Sequence, residues 1–108
     1  MTSHAVHVTT EAENDIDAIH EYLSINESTE RAHRVANGLF DTIETLGDMP
    51  ARGNFPKELD YLGRRDIREL HCGAYRIFYQ IEERGVFVIA VADGRRDMRE
   101  FLRRRLER

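Results

Sequence analysis

Four arginines, Arg68, Arg76, Arg95 and Arg96, are the side chains of this 108-residue chain best suited to recognising an anion. A guanidinium presents five donors in a planar fork, so a group of them can grip phosphate or carboxylate oxygens in pairs. Arg68 and Arg76 fall on neighbouring predicted strands and Arg95-Arg96 follow a third, so one sheet is expected to gather them. Arg76 interrupts the apolar run Tyr75 to Ile81, where a guanidinium must find a partner or reach solvent. Tyr75 and Tyr79 share a strand face with Ile77 and Ile81, and read as core rings with their hydroxyls near its edge. His71 is the nearby group whose ordinary pKa lies close to neutrality.

Other chemistries lack their residues. His4 and His7 lie two apart, His20 and His33 are on separate predicted helices, and no cysteine pair accompanies them, so no metal-ligand spacing is present. The single cysteine, Cys72, cannot close an internal disulfide, and beside Gly73 it reads as a turn residue. Gly47, Gly53 and Gly63 lack the spacing of a phosphate-binding loop, and the Ser and Thr residues suggest no nucleophilic triad. No cofactor, metal or catalytic residue is assigned.

These arginines require a sheet to hold them. Between Ile67 and Ala92 the pattern has period 2: Ile67 to His71, a turn at Gly73, Tyr75 to Ile81, a turn at Arg84-Gly85, then Val86 to Ala92. Spacings this short permit only antiparallel hairpins. The third strand is apolar on both faces, which predicts a central position. His4 to Val8 alternates briefly and adds an edge or end strand.

Upstream the period is helical. Thr10 with Glu13 fits a capping box, followed by Ala12, Ile16, Ile19 and Leu23 as one aliphatic stripe, with Asp15, Asp17, His20 and Glu21 on an acidic outer face. Asn26, Ser28 or Thr29 starts a second helix with the broader face Ala32, Val35, Ala36, Leu39, Phe40, Ile43 and Leu46. Gly38 within it is expected to permit close packing. Met49 to Pro56 forms a connector, and Lys57 to Leu62 a helical turn or an irregular crossing. After Asp97, Met98, Phe101, Leu102 and Leu106 have helical spacing among Arg99, Arg103, Arg104, Arg105 and Arg108, leaving three outcomes open: packing on the sheet, mobility, or ordering by a partner. The expected fold is α+β: a helical hairpin packed on a small antiparallel sheet, with a C-terminal helical segment, in a single domain over residues 1–108.

Composition, 41% hydrophobic and 33% charged, describes a soluble globule with one modest core. The longest apolar run, Val86 to Ala92, is far below the ~20 residues that cross a bilayer, and Met1 to His4 lack the features of a signal peptide, so a cytoplasmic protein is expected. The net charge of −4 conceals an asymmetry: residues 1–63 carry 4 Lys/Arg against 12 Asp/Glu, and residues 64–108 carry 12 Arg against 8 Asp/Glu. A cleft lined by the second half can attract an acidic partner although the whole molecule is acidic.

The order of fragments resembles the RelE/ParE superfamily of bacterial toxins over nearly the whole chain. The resemblance rests on Val8-Thr9-Thr10-Glu11-Ala12-Glu13-Asn14-Asp15-Ile16, Leu46-Gly47-Asp48-Met49-Pro50, Arg68-Glu69-Leu70, Tyr75-Arg76-Ile77-Phe78-Tyr79 and Gly94-Arg95-Arg96-Asp97. It implies a helical hairpin on a small antiparallel sheet and a cognate antitoxin as partner. One branch of the superfamily cleaves messenger RNA on the ribosome; the ParE-like branch poisons DNA gyrase. Two arginines of the cleaving branch fall on Arg76 and Arg96, but its two basic residues fall on Ile67 and Glu69, and its terminal tyrosine falls near Leu102.

That departure makes the ParE-like branch the closer match, implying a gyrase inhibitor that acts by binding and is not itself an enzyme. Arg95 and Arg96 are then the leading contacts, supported by the terminal segment through Arg105, with Arg68 and Arg76 as further target- or antitoxin-binding candidates. A ribosome-dependent messenger RNA endonuclease using Arg76, Arg96 and His71 is the alternative. A non-toxic nucleic-acid-binding module comes third.

Overall fold

The structure, a computed structural model, describes residues 3–107. Met1, Thr2 and Arg108 lie outside them, and with them part of the readings given to the first four residues and to the arginines of the last segment. Strand β1 (Val6–Val8) leads into helices α1 (Thr10–Asn26) and α2 (Thr29–Glu44), then strands β2 (Ile67–Cys72), β3 (Tyr75–Glu82) and β4 (Gly85–Asp93), and helix α3 (Met98–Leu106). Three 3-10 segments, Thr45–Gly47, Pro50–Arg52 and Lys57–Leu62, carry the chain from α2 to β2. The fold is the expected α+β arrangement.

Capping side chains set where the helices begin. Thr9, one residue earlier than the sequence pattern suggests, accepts the Ala12 N–H at 3.2 Å, and Thr10 is already helical. Ser28 does the same for α2 by accepting from Arg31 N–H at 3.1 Å. Each bond satisfies a donor that the first helical turn would otherwise leave open.

The sheet order is β1-β4-β3-β2. β2–β3 and β3–β4 are antiparallel, while β1 runs parallel to β4 with Val6 opposite Val86. Gly85 permits that close pairing: its φ is 137°, and a Cβ there would lie 2.4 Å from the Ala5 carbonyl oxygen.

Strict alternation fails once. Phe78 opposes Ala90 and Tyr79 opposes Val88, so Ile89 is an extra residue on β4, a β-bulge. Val86, Val88 and Val91 therefore pack under α1 and α2, while Ala90 and Ala92 pack under α3. The central strand divides its apolar residues between two cores, which explains its continuous apolar run.

The first core joins Ala12, Ile16, Leu39, Ile43 and Leu46 of the helical side to Leu70, Ile77, Tyr79 and the valines. The second, on the opposite face, joins Met98, Phe101 and Leu102 to Ile67, Phe78 and Leu59. Burying each of these α3 side chains favours docking by about 1.5–3 kcal/mol, so of the three outcomes left open for this segment, packing on the sheet is the one found. Phe40 and Ile81 depart from expectation, being 44% and 41% exposed at the margins of the first core. Gly38 is not a forced contact either: a Cβ there would meet only Cys72 Sγ, at 3.9 Å.

Candidate functional site

Alternation along β2 and β3 separates two of the predicted arginines. Arg68 lies opposite Tyr79 and Arg76 opposite His71, and these pairs face opposite sides of the sheet. Arg68 donates to the Ala51 and Gly53 carbonyls at 3.2 and 2.9 Å, and its guanidinium lies 4.4 Å from the Phe55 ring centroid. It fastens the connector to the sheet.

Arg76 is held on three sides. Its terminal nitrogens donate to both oxygens of Glu58, each at 2.8 Å, and its Nε donates to Glu69 Oε1 at 2.6 Å. The other Glu69 oxygen accepts from Asn54 Nδ2 at 3.0 Å, and His71 Nε2 is 3.3 Å from Oε1. Hydrogen bonding from Arg76 lowers the Glu58 pKa to about 2, against the opposing effect of burial. The same bonds raise the Arg76 pKa. Glu58, in the Lys57–Leu62 segment, is the partner the sequence required for Arg76 without naming it.

Tyr79 holds the same connector from the other face of β3. Its buried hydroxyl accepts from Gly53 N–H at 2.9 Å and donates to the Pro50 carbonyl at 2.7 Å. Burial raises its pKa. Gly53 has no room for a side chain, since a Cβ would lie 2.4 Å from that hydroxyl and 2.5 Å from the Glu69 carbonyl oxygen.

The exit of β4 is arranged differently. Arg95 chelates Asp93 at 2.9 and 3.2 Å, yet its side chain is 88% exposed. Arg96 lays its guanidinium over the Phe101 ring, 4.5 Å from the centroid. Arg105 is internal by contrast: it donates to both oxygens of Asp15 at 2.8 and 2.9 Å and to the Ile89 carbonyl at 2.8 Å. Asp15 also accepts the Val91 N–H at 2.9 Å, so one carboxylate joins α1, the β4 bulge and α3. Sequence reasoning placed Asp15 on the outer face of α1. Its spacing of three from Ala12 and four from Ile19 puts it beside the buried stripe, and that was the available signal.

An open groove of about 800 Å³ lies between α1, α2 and the exit of β4, with the β2–β3 turn at its end. Ile19, Leu23, Val35 and Val91 contribute its apolar surface, and Arg31, Arg34, Arg95 and Arg96 its cations. A smaller hollow of about 420 Å³ between the start of α1 and α3 includes Glu11, Arg104 and the same Arg96. Among the described residues, no group of three or more His, Cys, Asp or Glu side chains could hold a metal ion. No helix among them is long and apolar enough to cross a membrane.

The family described as ParE toxin of type II toxin-antitoxin system, parDE, matches residues 6–98. This chain belongs to that family. The match takes in both helices of the hairpin, all four strands and the Arg95-Arg96 corner, and reaches the first residue of α3. No curated protein sequence matches this toxin. Solved structures agree with it in fold: one titled chromosomal ParDE TA system from P. aeruginosa superimposes with a TM-score of 0.73 at 13% identity, covering 84% of this chain and 96% of that one. The toxin-antitoxin complex RelBE2 from Mycobacterium tuberculosis gives 0.61 at 19%, covering 86% and 93%. A mutant of the E. coli toxin RelE in the free state gives 0.51 at 15%, covering 92% of each chain. The ParE-family toxin thus shares its α+β framework with RelE-type proteins at low sequence identity.

Proposed function

We propose that this ParE-family toxin arrests growth by binding DNA gyrase in the cytoplasm, catalysing no reaction of its own, and that a cognate antitoxin neutralises it by covering the groove and the Arg95-Arg96 corner. One observation carries this reading: the Arg76 guanidinium is enclosed by Glu58 and Glu69, while Arg95 and Arg96 face solvent. Cleavage of a phosphodiester needs donors aimed at the charge that develops on phosphorus-bound oxygens. The Arg76 donors that meet Glu58 and Glu69 are engaged by carboxylates already in place and are not aimed at such a charge. Arg95 and Arg96 instead offer planar donors to a protein or phosphate surface, and Arg105 holds α3 in place behind them.

The test uses purified gyrase, plasmid and ATP. Wild-type toxin inhibits supercoiling or accumulates cleaved complex, and a folded Arg95→Ala/Arg96→Ala variant does so less. Fully active gyrase at saturating folded toxin, alongside persistent growth arrest, rejects the target. Ribosome-dependent cleavage of messenger RNA is the second reading, favoured by the 3.3 Å approach of His71 to Glu69, which could orient the imidazole for proton transfer. New codon-positioned messenger RNA ends in a translating extract would support it.

A further inference from the structure

The charges lining the groove do not balance within it. Glu27 pairs with Arg31 at 2.7 Å and Asp93 with Arg95 at 2.9 Å, while Asp15 is engaged by Arg105 and the Val91 amide. Arg34 and Arg96 remain. Among the described residues neither guanidinium meets a carboxylate; that of Arg96 has the Phe101 ring beneath it, and the Arg34 side chain has no hydrogen-bond, ion-pair or ring partner. One comes from α2 and the other from the segment after β4, so they belong to different walls of the groove, with Ile19, Leu23, Val35 and Val91 contributing apolar surface between those elements.

An occupant that covers this apolar surface also removes water from both guanidinium groups, which is unfavourable unless it supplies carboxylates. The groove lies at strand ends and not along a strand edge, so it offers no row of backbone donors and acceptors for an added strand. A helix, recognised through side chains, is the segment that fits.

We infer that Arg34 and Arg96 are specificity determinants for the antitoxin: the groove takes an amphipathic helix whose apolar stripe is flanked by acidic residues, one for each guanidinium, and rejects helices with basic residues there. This rests on the proposal that an antitoxin occupies the groove. Opposite charges attract the cognate helix and like charges exclude others, so the two arginines contribute to discrimination as well as to affinity.

The test is calorimetric titration of the full chain with the antitoxin encoded beside it, at several salt concentrations. The Arg34→Glu/Arg96→Glu variant is expected to bind about 100-fold more weakly, with a shallower salt dependence. Replacing the two flanking acidic residues of the antitoxin helix with lysine should restore binding to this variant and abolish binding to wild type. Lys57→Glu, outside the groove, should leave affinity within about twofold. Arg34→Glu alone breaks no side-chain hydrogen bond, ion pair or ring contact among the described residues, and an unfolding midpoint matching wild type, measured alongside, separates its weaker binding from lost folding. Affinity of the double variant within about threefold of wild type, with wild type binding tightly, overturns the specificity role and leaves groove occupancy intact. Failure of wild type to bind the antitoxin overturns both.

Discussion

Arginine does opposite work in two regions of the molecule. Where the connector crosses β2 and β3, Arg68 and Arg76 are engaged by internal acceptors: carbonyls for one, two carboxylates for the other. Where β4 leaves the sheet, Arg34 and Arg96 present donors that no carboxylate among the described residues accepts. Residue type alone therefore says little about recognition. What separates the two regions is whether an irregular segment folds back to supply acceptors. Residues 49–62 do so beside Arg68 and Arg76, whereas beside Arg96 the chain passes directly from β4 into α3.

The largest effect expected from this contrast is at Arg76. Arg76→Ala leaves Glu58 and the buried Glu69 without their cation, and should destabilise the toxin by about 3–5 kcal/mol in denaturant unfolding. A loss below about 1 kcal/mol would mean that the cluster is not fastening the connector. Gly53→Ala comes next. The added methyl must displace the Tyr79 hydroxyl or the Glu69 carbonyl, at a cost of about 3 kcal/mol, and a second variant, Gly53→Ala/Tyr79→Phe, should recover part of it by removing the hydroxyl.

A third prediction concerns pH. The Glu58 pKa is depressed to about 2, so its contribution is complete above the ordinary carboxylate range near 4.5 and is lost as pH falls through that range towards 2. Allowing for water near the pair, this amounts to about 2 kcal/mol. Glu58→Gln should flatten acid unfolding within that window; an unchanged profile would assign the acid sensitivity elsewhere. The smallest effect belongs to the open groove. Arg34→Ala should change stability by less than about 0.5 kcal/mol, because its exposed guanidinium makes no hydrogen bond, ion pair or ring contact among the described residues, and a larger loss would erase the distinction between the two regions.

The strands and helices were legible because periodicity and glycine punctuation record local geometry. Ile67, Gly73 and Gly85 mark β2, the first turn and the start of β4 directly. What escaped was relational. The Ile89 bulge leaves no mark in an unbroken apolar run, because Val86 to Ala92 is compatible with either parity. Arg76 announced the need for a partner, yet Glu58 lies in a 3-10 segment whose position depends on Tyr79, Gly53 and Asn54 being folded already. Phe40 misled because helical spacing assigned it to the inner face while its neighbours filled the core without it. Asp15 was readable as a stripe-edge residue, but its partner Arg105 is 90 positions away.

That last separation has a consequence for synthesis. β1 finds its only strand neighbour in β4, eighty residues later, and the Asp15 carboxylate receives its guanidinium only when Arg105 is available. Contacts this distant in sequence are closed late, after the loop-closure entropy of most of the chain has been met. A nascent chain emerging at about 5–20 residues per second can form its helical hairpin early, but neither the sheet edge nor α3 can be secured until translation of this segment is almost complete. The β4 exit, with Arg95 and Arg96, is therefore among the last surfaces to take shape.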